Sequence, residues 1–166
     1  MMKTNLKETD MTTFDFGDGK GPVAAHKHSN GGGWVADTAT VAKTAQVGPD
    51  ARVYGAARVY DYARVYGNAQ VSGATRVFGD AKVSGTAKMY GNASVSGKAW
   101  VFGNAQVFGN ARVSGDALVY SDALVYGDAE VYGTARVSGK AWVYGNAWVS
   151  GKARVSGNAR VTEKTY

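Results

Sequence analysis

The sequence predicts an all-β fold in which very short parallel strands stack into a triangular β-helix of about seven coils, each about 18 residues long. Three observations carry this prediction. Every sixth residue from Val35 to Val161 is Val, apart from one Met, and every sixth residue from Ala39 to Ala159 is Ala, apart from one Thr. A Gly recurs at a fixed place in most of these units. No insertion interrupts the register along the repeat.

The repeating unit is six residues long, and residues 63–68, Ala-Arg-Val-Tyr-Gly-Asn, are a typical example. Ala and Val are two residues apart, so in an extended segment both point to one side and the residue between them points to the other. Gly tolerates a positive φ and therefore suits a corner that recurs in every unit. Between residues 55 and 157 only Asp61 and Ser121 replace it. A helix is excluded because this spacing cannot form an apolar stripe with the helical period.

Three flat sides close each coil, so its interior is predicted to hold three Val and three Ala. Burying one Val contributes roughly 1.5–3 kcal/mol, whereas ordering the backbone costs about 1–2 kcal/mol for every residue of the coil. A single coil is therefore unstable, and stability has to come from stacking. At ~4.8 Å per stacked strand, the predicted rod is roughly 35 Å long.

The repeat divides a single domain into four predicted parts. Residues 1–13 are polar and are predicted to be a flexible tail, and residues 14–34 to be a cap. Residues 35–162 are predicted to form the β-helix, and residues 163–166 a short charged tail. A cap is expected because the end coil of a solenoid exposes unpaired strand edges and the end of its core.

Composition narrows the function classes. The chain has no Cys, which excludes disulfides and Cys-based metal sites. It has neither a signal-like apolar segment near its start nor a membrane-length apolar run, so we expect a soluble, unsecreted protein with no membrane partner. The formal net charge of +6 is modest.

The predicted cap contains two pairs of side chains with the same spacing. Phe14 and Phe16 are two residues apart and are expected to press on the first coil. His26 and His28 are also two apart, which would place them on one side of an extended segment and makes them weak candidates for a metal site. The alternative is that both are ordinary loop residues. The sequence shows no complete ligand set, so neither a metal nor a cofactor is predicted.

The unit Ala-x-Val-x-Gly-x resembles the hexapeptide repeat of left-handed β-helix proteins, a family that includes many bacterial acyltransferases, and the resemblance covers residues 33–162. It alone implies a left-handed coil, because the general rule for parallel crossovers favours the right hand. The segments 14–17, Phe-Asp-Phe-Gly, and 31–39, Gly-Gly-Gly-Trp-Val-Ala-Asp-Thr-Ala, also resemble hexapeptide-repeat proteins of phages and prophages. That second resemblance implies a phage-related protein that acts in the cytoplasm of a bacterial host.

With 18 residues per coil, the outward mid-strand residues fall on three faces, which run in steps of eighteen from Thr40, Gln46 and Arg52. Apolar residues are predicted to stack on two of them. Trp100 precedes Leu118 on the second face, and Leu124 precedes Trp142 on the third. Stacked apolar side chains on a flat face are typical of an interface. We therefore expect a homo-oligomer, with a trimer favoured by the resemblance.

The residues that follow the inner Val on the third face form a further predicted column, which contains an unbroken run of four aromatics. The full set of interface candidates is Trp100, Leu118, Leu124, Trp142, Trp148, Tyr90, Phe108, Tyr126 and Tyr144. The alternative for the column is that its rings stack on one another and only stiffen the corner. Together with Leu124 and Trp142 on the same face, the column favours a subunit or partner interface.

The N-terminal coils are rich in outward basic residues, which are candidates for binding an anion. They are Arg52, Arg58, Arg64, Arg76, Lys82 and Lys88. Basic residues interleaved with aromatics are typical of sites for nucleotides or single-stranded nucleic acid. The alternative is that corner Asp residues neutralise these charges or that water solvates them, and no recognised nucleic-acid motif is present.

Catalysis is not predicted. The acyltransferases of the resembled family use a His base on a loop that leaves the rod, whereas this chain has no His after His28 and no such loop. Acid–base chemistry without His would need a tuned carboxylate, Lys or Tyr, and no paired constellation is evident. The sequence therefore favours a non-catalytic scaffold that recognises a host protein or itself, including a counter-defence inhibitor. The open alternatives are sequestration of an anionic small molecule, nucleotide or nucleic acid, and, less favoured, a divergent acyltransferase.

Overall fold

A computed structural model describes residues 12–166, and residues 1–11 of the predicted tail lie outside the described residues. The chain forms a β-solenoid without helices in this part, built from parallel coils of 18 residues that stack for about seven turns. The predicted fold class is confirmed. The hand of the coil stays a prediction from the resemblance.

Three parallel sheets form the sides of the rod, and they contain the three predicted faces. Sheet I carries the outward residues that begin at Thr40, and its strands are β4 (Thr40–Val41), β7 (Arg58–Val59), β10 (Arg76–Val77), β13 (Ser94–Val95), β16 (Arg112–Val113), β19 (Glu130–Val131), β22 (Trp148–Val149) and β25 (Lys164–Thr165). Sheet II contains β5 (Gln46–Val47), β8 (Arg64–Val65), β11 (Lys82–Val83), β14 (Trp100–Val101), β17 (Leu118–Val119), β20 (Arg136–Val137) and β23 (Arg154–Val155).

Sheet III is the longest of the three because the N-terminal segment joins it. Its strands, in spatial order, are β1 (Thr13–Phe14), β2 (Val23–Lys27), β3 (Trp34–Ala36), β6 (Arg52–Val53), β9 (Gln70–Val71), β12 (Lys88–Met89), β15 (Gln106–Val107), β18 (Leu124–Val125), β21 (Trp142–Val143) and β24 (Arg160–Val161).

The Val and Ala columns fill the interior of the rod. Val107, for example, pairs with Met89 on one side and Val125 on the other, and all three are fully buried. Thr75, which replaces Ala in its column, is also fully buried, and its hydroxyl has no hydrogen-bond partner among the described residues. The predicted division into inward and outward residues is therefore correct.

The corners from Gly55 to Gly157 use a left-handed backbone conformation. Gly103 has a φ of 69°, and a Cβ added there would lie 2.9 Å from the backbone N of Ser121 in the next coil. The two residues that replace the corner Gly keep the same conformation, with φ of 57° at Asp61 and 60° at Ser121. This conformation is sterically unfavourable for a residue other than Gly. At Asp61 part of that penalty is offset, because its Oδ2 accepts a hydrogen bond from the backbone N of Gly79 at 3.0 Å.

The N-terminal segment extends sheet III and packs on the outer surface of the first coil. Strands β1, β2 and β3 pair in antiparallel fashion. Phe14 stacks on the outward side chain of Trp34 with 4.4 Å between ring centroids, and Phe16 stacks on the corner residue Tyr54 at 4.9 Å. The two Phe residues thus contact the first coil as expected, but through its outside surface and not over the end of the core.

Residues 30–33 cover the first strand of sheet II. The backbone N of Gly33 donates to Val47 O at 2.9 Å, and Val47 N donates to Asn30 O at 3.0 Å. Sheet I begins directly with β4, so the segment covers two of the three sheet edges at this end.

Strand pairing continues beyond residue 162, where the predicted β-helix ends. Lys164 in β25 pairs with Trp148 in β22, which shortens this last coil to 16 residues. Nowhere in residues 12–166 is there a helix long and apolar enough to cross a membrane.

Candidate functional surfaces

Several outward side chains of sheets II and III contact the corner residue that lies sixteen positions earlier, in the preceding coil. The indole Nε1 of Trp100 donates to Ser84 Oγ at 2.8 Å. The Oε1 of Gln106 accepts from the Tyr90 hydroxyl at 3.2 Å. This geometry couples these two faces to their neighbouring corners, a contact that the six-residue pattern does not reveal.

The aromatic column beside sheet III is formed as predicted. Successive ring centroids are 4.7 Å apart between Tyr90 and Phe108, 4.8 Å between Phe108 and Tyr126, and 5.2 Å between Tyr126 and Tyr144, and the rings are nearly parallel. Burial raises the pKa of the Tyr90 phenol above its ordinary value. The Tyr90 hydroxyl donates to Gln106 Oε1.

Leu124 and Trp142 are in direct register on sheet III, and both are half-buried. The Trp142 ring meets Tyr126 edge-on at 6.4 Å, and the Arg160 guanidinium lies 4.6 Å from its centroid. We call Leu124, Tyr126, Trp142 and Tyr144 the sheet III patch. It combines apolar mid-strand and corner side chains in one rigid array.

The second predicted apolar pair is arranged differently. Trp100 and Leu118 are in register on sheet II, but the indole leans away from Leu118 towards the preceding coil. It packs against Phe102 at 4.4 Å, and the Lys82 ammonium lies 5.6 Å from its centroid. Trp100 therefore contributes to packing within the chain.

Trp148, the remaining apolar candidate, lies on sheet I and is 39% exposed. The ammonium of Lys164, its partner in the register, is 4.4 Å from the ring centroid. This single exposed ring does not join the sheet III patch, because it lies on a different sheet.

The six basic candidates lie on three sheets and do not converge on one point. Arg52 is used within the chain: its Nη1 donates to Phe16 O at 3.2 Å, and its guanidinium lies 5.4 Å from the Phe14 ring. Arg58 and Arg76 are neighbours on sheet I, and Arg64 and Lys82 are neighbours on sheet II. Lys88 is on sheet III.

A shallow groove follows the corner side of sheet I. One part, about 330 Å³ in volume, lies among Thr40, Ala42, Arg58, Tyr60 and Arg76. A second part of about 410 Å³ begins at Arg76 and continues to Glu130 over a floor of serines. Among residues 12–166 Arg76 has no carboxylate within 4.0 Å, whereas Arg112 pairs with Glu130 at 3.4 Å.

Two polar ladders connect the corners, and neither was predicted from the sequence. Asn92 Nδ2 donates to Asn110 Oδ1 at 3.2 Å, and Asn110 Nδ2 donates to Asp128 Oδ1 at 2.9 Å. In the second ladder, Thr86 donates to Asn104, which donates to Asp122 at 2.9 Å. The signal that could have found them is the recurrence of Asn and Asp after the corner Gly at steps of eighteen.

The two histidines have separate partners. His26 Nδ1 is 2.8 Å from Asp37 Oδ1 at the surface. His28 is buried, and its Nδ1 lies 3.2 Å from the carbonyl oxygen of Asn30. Within the described part of the chain no three His, Cys, Asp or Glu side chains are grouped as a metal site would require. Both residues have a structural role in the turn and hairpin that lead into the first coil.

Comparison with known proteins supports the repeat architecture. A family model described as the YdcK beta solenoid repeat matches residues 105–121 and 153–165, that is, one segment from β15 to β17 and another from β23 to β25. No curated protein and no solved structure matched the chain significantly. The stacked coils and the family match together identify the chain as a β-solenoid repeat protein.

Proposed function

We propose that this protein is a non-catalytic, rigid binding scaffold that recognises protein through the sheet III patch, and that its first partner is another copy of itself. The observation that carries the proposal is the direct register of Leu124 and Trp142 beside the stacked rings of Tyr126 and Tyr144. Apolar side chains arranged on a rigid sheet lose little conformational entropy when they bind. Such a surface is typical of protein interfaces.

Charge supports self-association at this place. From Gln106 to Trp142 the outward residues of sheet III are uncharged, as are the corner residues Phe108, Tyr126 and Tyr144. Away from Arg160, whose guanidinium lies 4.6 Å from the Trp142 ring at one end of this stretch, two copies of this surface can therefore approach without bringing together like charges, which would oppose association. We propose a trimer on the resemblance to hexapeptide-repeat proteins.

Light scattering on matched double variants tests the proposal. We expect the wild-type protein to have the mass of an oligomer and the Leu124→Ser/Trp142→Ser variant to be a monomer with unchanged circular dichroism. The Leu118→Ser/Trp148→Ser variant is the control, because it removes the same two residue types from other sheets and should keep the oligomer. A monomeric wild-type protein, or assembly lost only in the control, contradicts the proposal.

The resemblance of residues 14–17 and 31–39 to phage proteins supports a finer proposal, in which the scaffold captures a host protein in the bacterial cytoplasm as a counter-defence inhibitor. The test is affinity capture from host lysate, followed by reconstitution of the complex from purified components. Binding should be lost in the Leu124→Ser/Trp142→Ser variant. If the Leu124→Ser/Trp142→Ser variant still bound the host protein and the Arg58→Gln/Arg64→Gln variant did not, recognition would instead be assigned to the basic residues.

A further inference from the structure

The corner column beside sheet I is interrupted. Tyr60 and Phe78 stack in it with centroids 5.0 Å apart and planes within 3° of parallel. The next two positions of the column are Ser96 and Ser114, and the next aromatic is Tyr132. Two consecutive places that could hold a ring are therefore occupied only by hydroxymethyl groups.

The chain itself shows what fills such a place. At Ser84, in the corner column beside sheet II, the indole of Trp100 donates to the serine hydroxyl and packs against the neighbouring Phe102. An aromatic ring from the mid-strand position sixteen residues later thus replaces the missing corner ring. The Ser84 hydroxyl and the Phe102 ring therefore both find their partner in Trp100, within the same chain.

At Ser96 and Ser114 the same mid-strand positions carry Arg112 and Glu130, which are not aromatic. Arg112 Nη1 donates to Glu130 Oε1 at 3.4 Å, and the Arg112 side chain is 70% exposed. An exposed ion pair of this kind contributes little to stability, so it can rearrange when a ligand binds. The two serine places lie in the floor of the 410 Å³ part of the groove.

The dimensions of the gap suit planar rings. Phe78 and Tyr132 are three coils apart, which corresponds to about 14 Å at ~4.8 Å per coil. Stacked rings approach to about 3.5–4.0 Å, so two or three flat rings fit between these residues. The first would continue the stack of Tyr60 and Phe78.

The charged and polar side chains around the groove indicate what chemical groups the ligand carries besides flat rings. Arg76 lines the groove at the Phe78 end, is exposed, and has no carboxylate partner within 4.0 Å in the part of the chain that is described. Its neighbour in register is Arg58, which offers a second cation on the same sheet. Glu130 lies at the opposite end and disfavours a negative charge there. The hydroxyls of the floor can donate or accept hydrogen bonds.

We propose that the groove of sheet I between Phe78 and Glu130 binds a nucleotide. Its base stacks on Phe78 over Ser96 and Ser114, and its phosphate pairs with Arg76. The nucleotide is either free or part of a single strand, since both present a flat base and a phosphate. This site is separate from the sheet III patch, which faces another side of the rod.

Filling the gap with protein side chains tests the proposal without weakening the fold. The Ser96→Tyr/Ser114→Tyr variant completes the corner column, and Tyr or Phe already occupies the corresponding corner of many other units. The control is Ser138→Tyr/Ser156→Tyr, which makes the same change in the column beside sheet II. Calorimetric titrations with adenosine 5′-monophosphate and with a short deoxyadenosine oligonucleotide measure binding to each protein.

We expect the wild type and the control to bind at least one of these probes and Ser96→Tyr/Ser114→Tyr to bind neither, although thermal unfolding shows that it folds. Arg76→Gln should weaken binding roughly tenfold through the loss of a charged hydrogen bond, whereas Arg136→Gln on sheet II should not. Binding of the mononucleotide identifies a free nucleotide as the ligand, and binding of the oligonucleotide alone identifies a single strand. Failure of the wild type to bind either probe, or equal binding by the two filled variants, overturns the proposal.

Discussion

The indole of Trp100 donates a 2.8 Å hydrogen bond to the hydroxyl of Ser84, which lies in the preceding coil. Ser84 is buried although it occupies a corner, because the indole covers it. One small corner residue and one large mid-strand residue thus fit together as a unit. Outward side chains of this rod are therefore part of its packing as well as its surface.

The contribution of this pair can be measured with a double-mutant cycle. Trp100→Phe and Ser84→Ala each remove one partner of the hydrogen bond, and we expect a coupling free energy of about 0.5–1.5 kcal/mol between them. Chemical denaturation of the four proteins gives the value. Strictly additive effects would mean that the hydrogen bond contributes nothing to the stability of the rod.

Val107→Asp should prevent folding. Val107 is fully buried between Met89 and Val125, and an unpaired carboxylate there has no partner that could compensate for its desolvation. The control is Gln106→Asp, which places the same charge on the outward neighbour and should keep the β circular dichroism spectrum. A folded, heat-stable Val107→Asp protein would contradict the assignment of the interior.

Ser121→Gly should stabilise the rod by about 1 kcal/mol, because Ser121 holds a φ of 60° that Gly adopts without a steric penalty. Asp61→Gly should stabilise the rod by a smaller amount, since it also removes the hydrogen bond from Gly79 N to the Asp61 carboxylate. Thermal and chemical unfolding compare the two variants. The critical result is which variant is stabilised more. A larger increase in stability for Asp61→Gly than for Ser121→Gly would show that the carboxylate contact is unimportant.

Thr75→Ala should raise the free energy of unfolding by about 1 kcal/mol, the lower end of the cost of a buried unpaired polar group. The Thr75 hydroxyl is buried without a hydrogen-bond partner among the described residues, and Ala is the usual residue of this column. Thr86→Ala is the control, since that hydroxyl is exposed and has two acceptors within reach, Gly103 O and Asn104 Oδ1. A loss of stability in Thr75→Ala would mean that the methyl group it removes matters more than the hydroxyl.

Much of the candidate surface could be predicted from the sequence because a coil of 18 residues places outward residues in register by simple counting. The alignments of Trp100 with Leu118 and of Leu124 with Trp142 follow from that period, as does the aromatic column from Tyr90 to Tyr144. Counting could not assign a role to Arg52, which is held by Phe16 from a segment outside the repeat. Nor could it find the groove of sheet I, whose shape depends on neighbouring coils.

The sequence alone determined which residues are inside. Val and Ala alternate with an outward residue in every unit, and a shift by one position would turn the whole apolar set to solvent, so a single arrangement is compatible with burial. Only the tertiary structure decided what the outward side chains do. Trp100 meets the corner residue Ser84 sixteen positions earlier, in the preceding coil, whereas Arg112 meets Glu130 in register, in the following coil. This is a property of two stacked coils, and no single six-residue unit contains it.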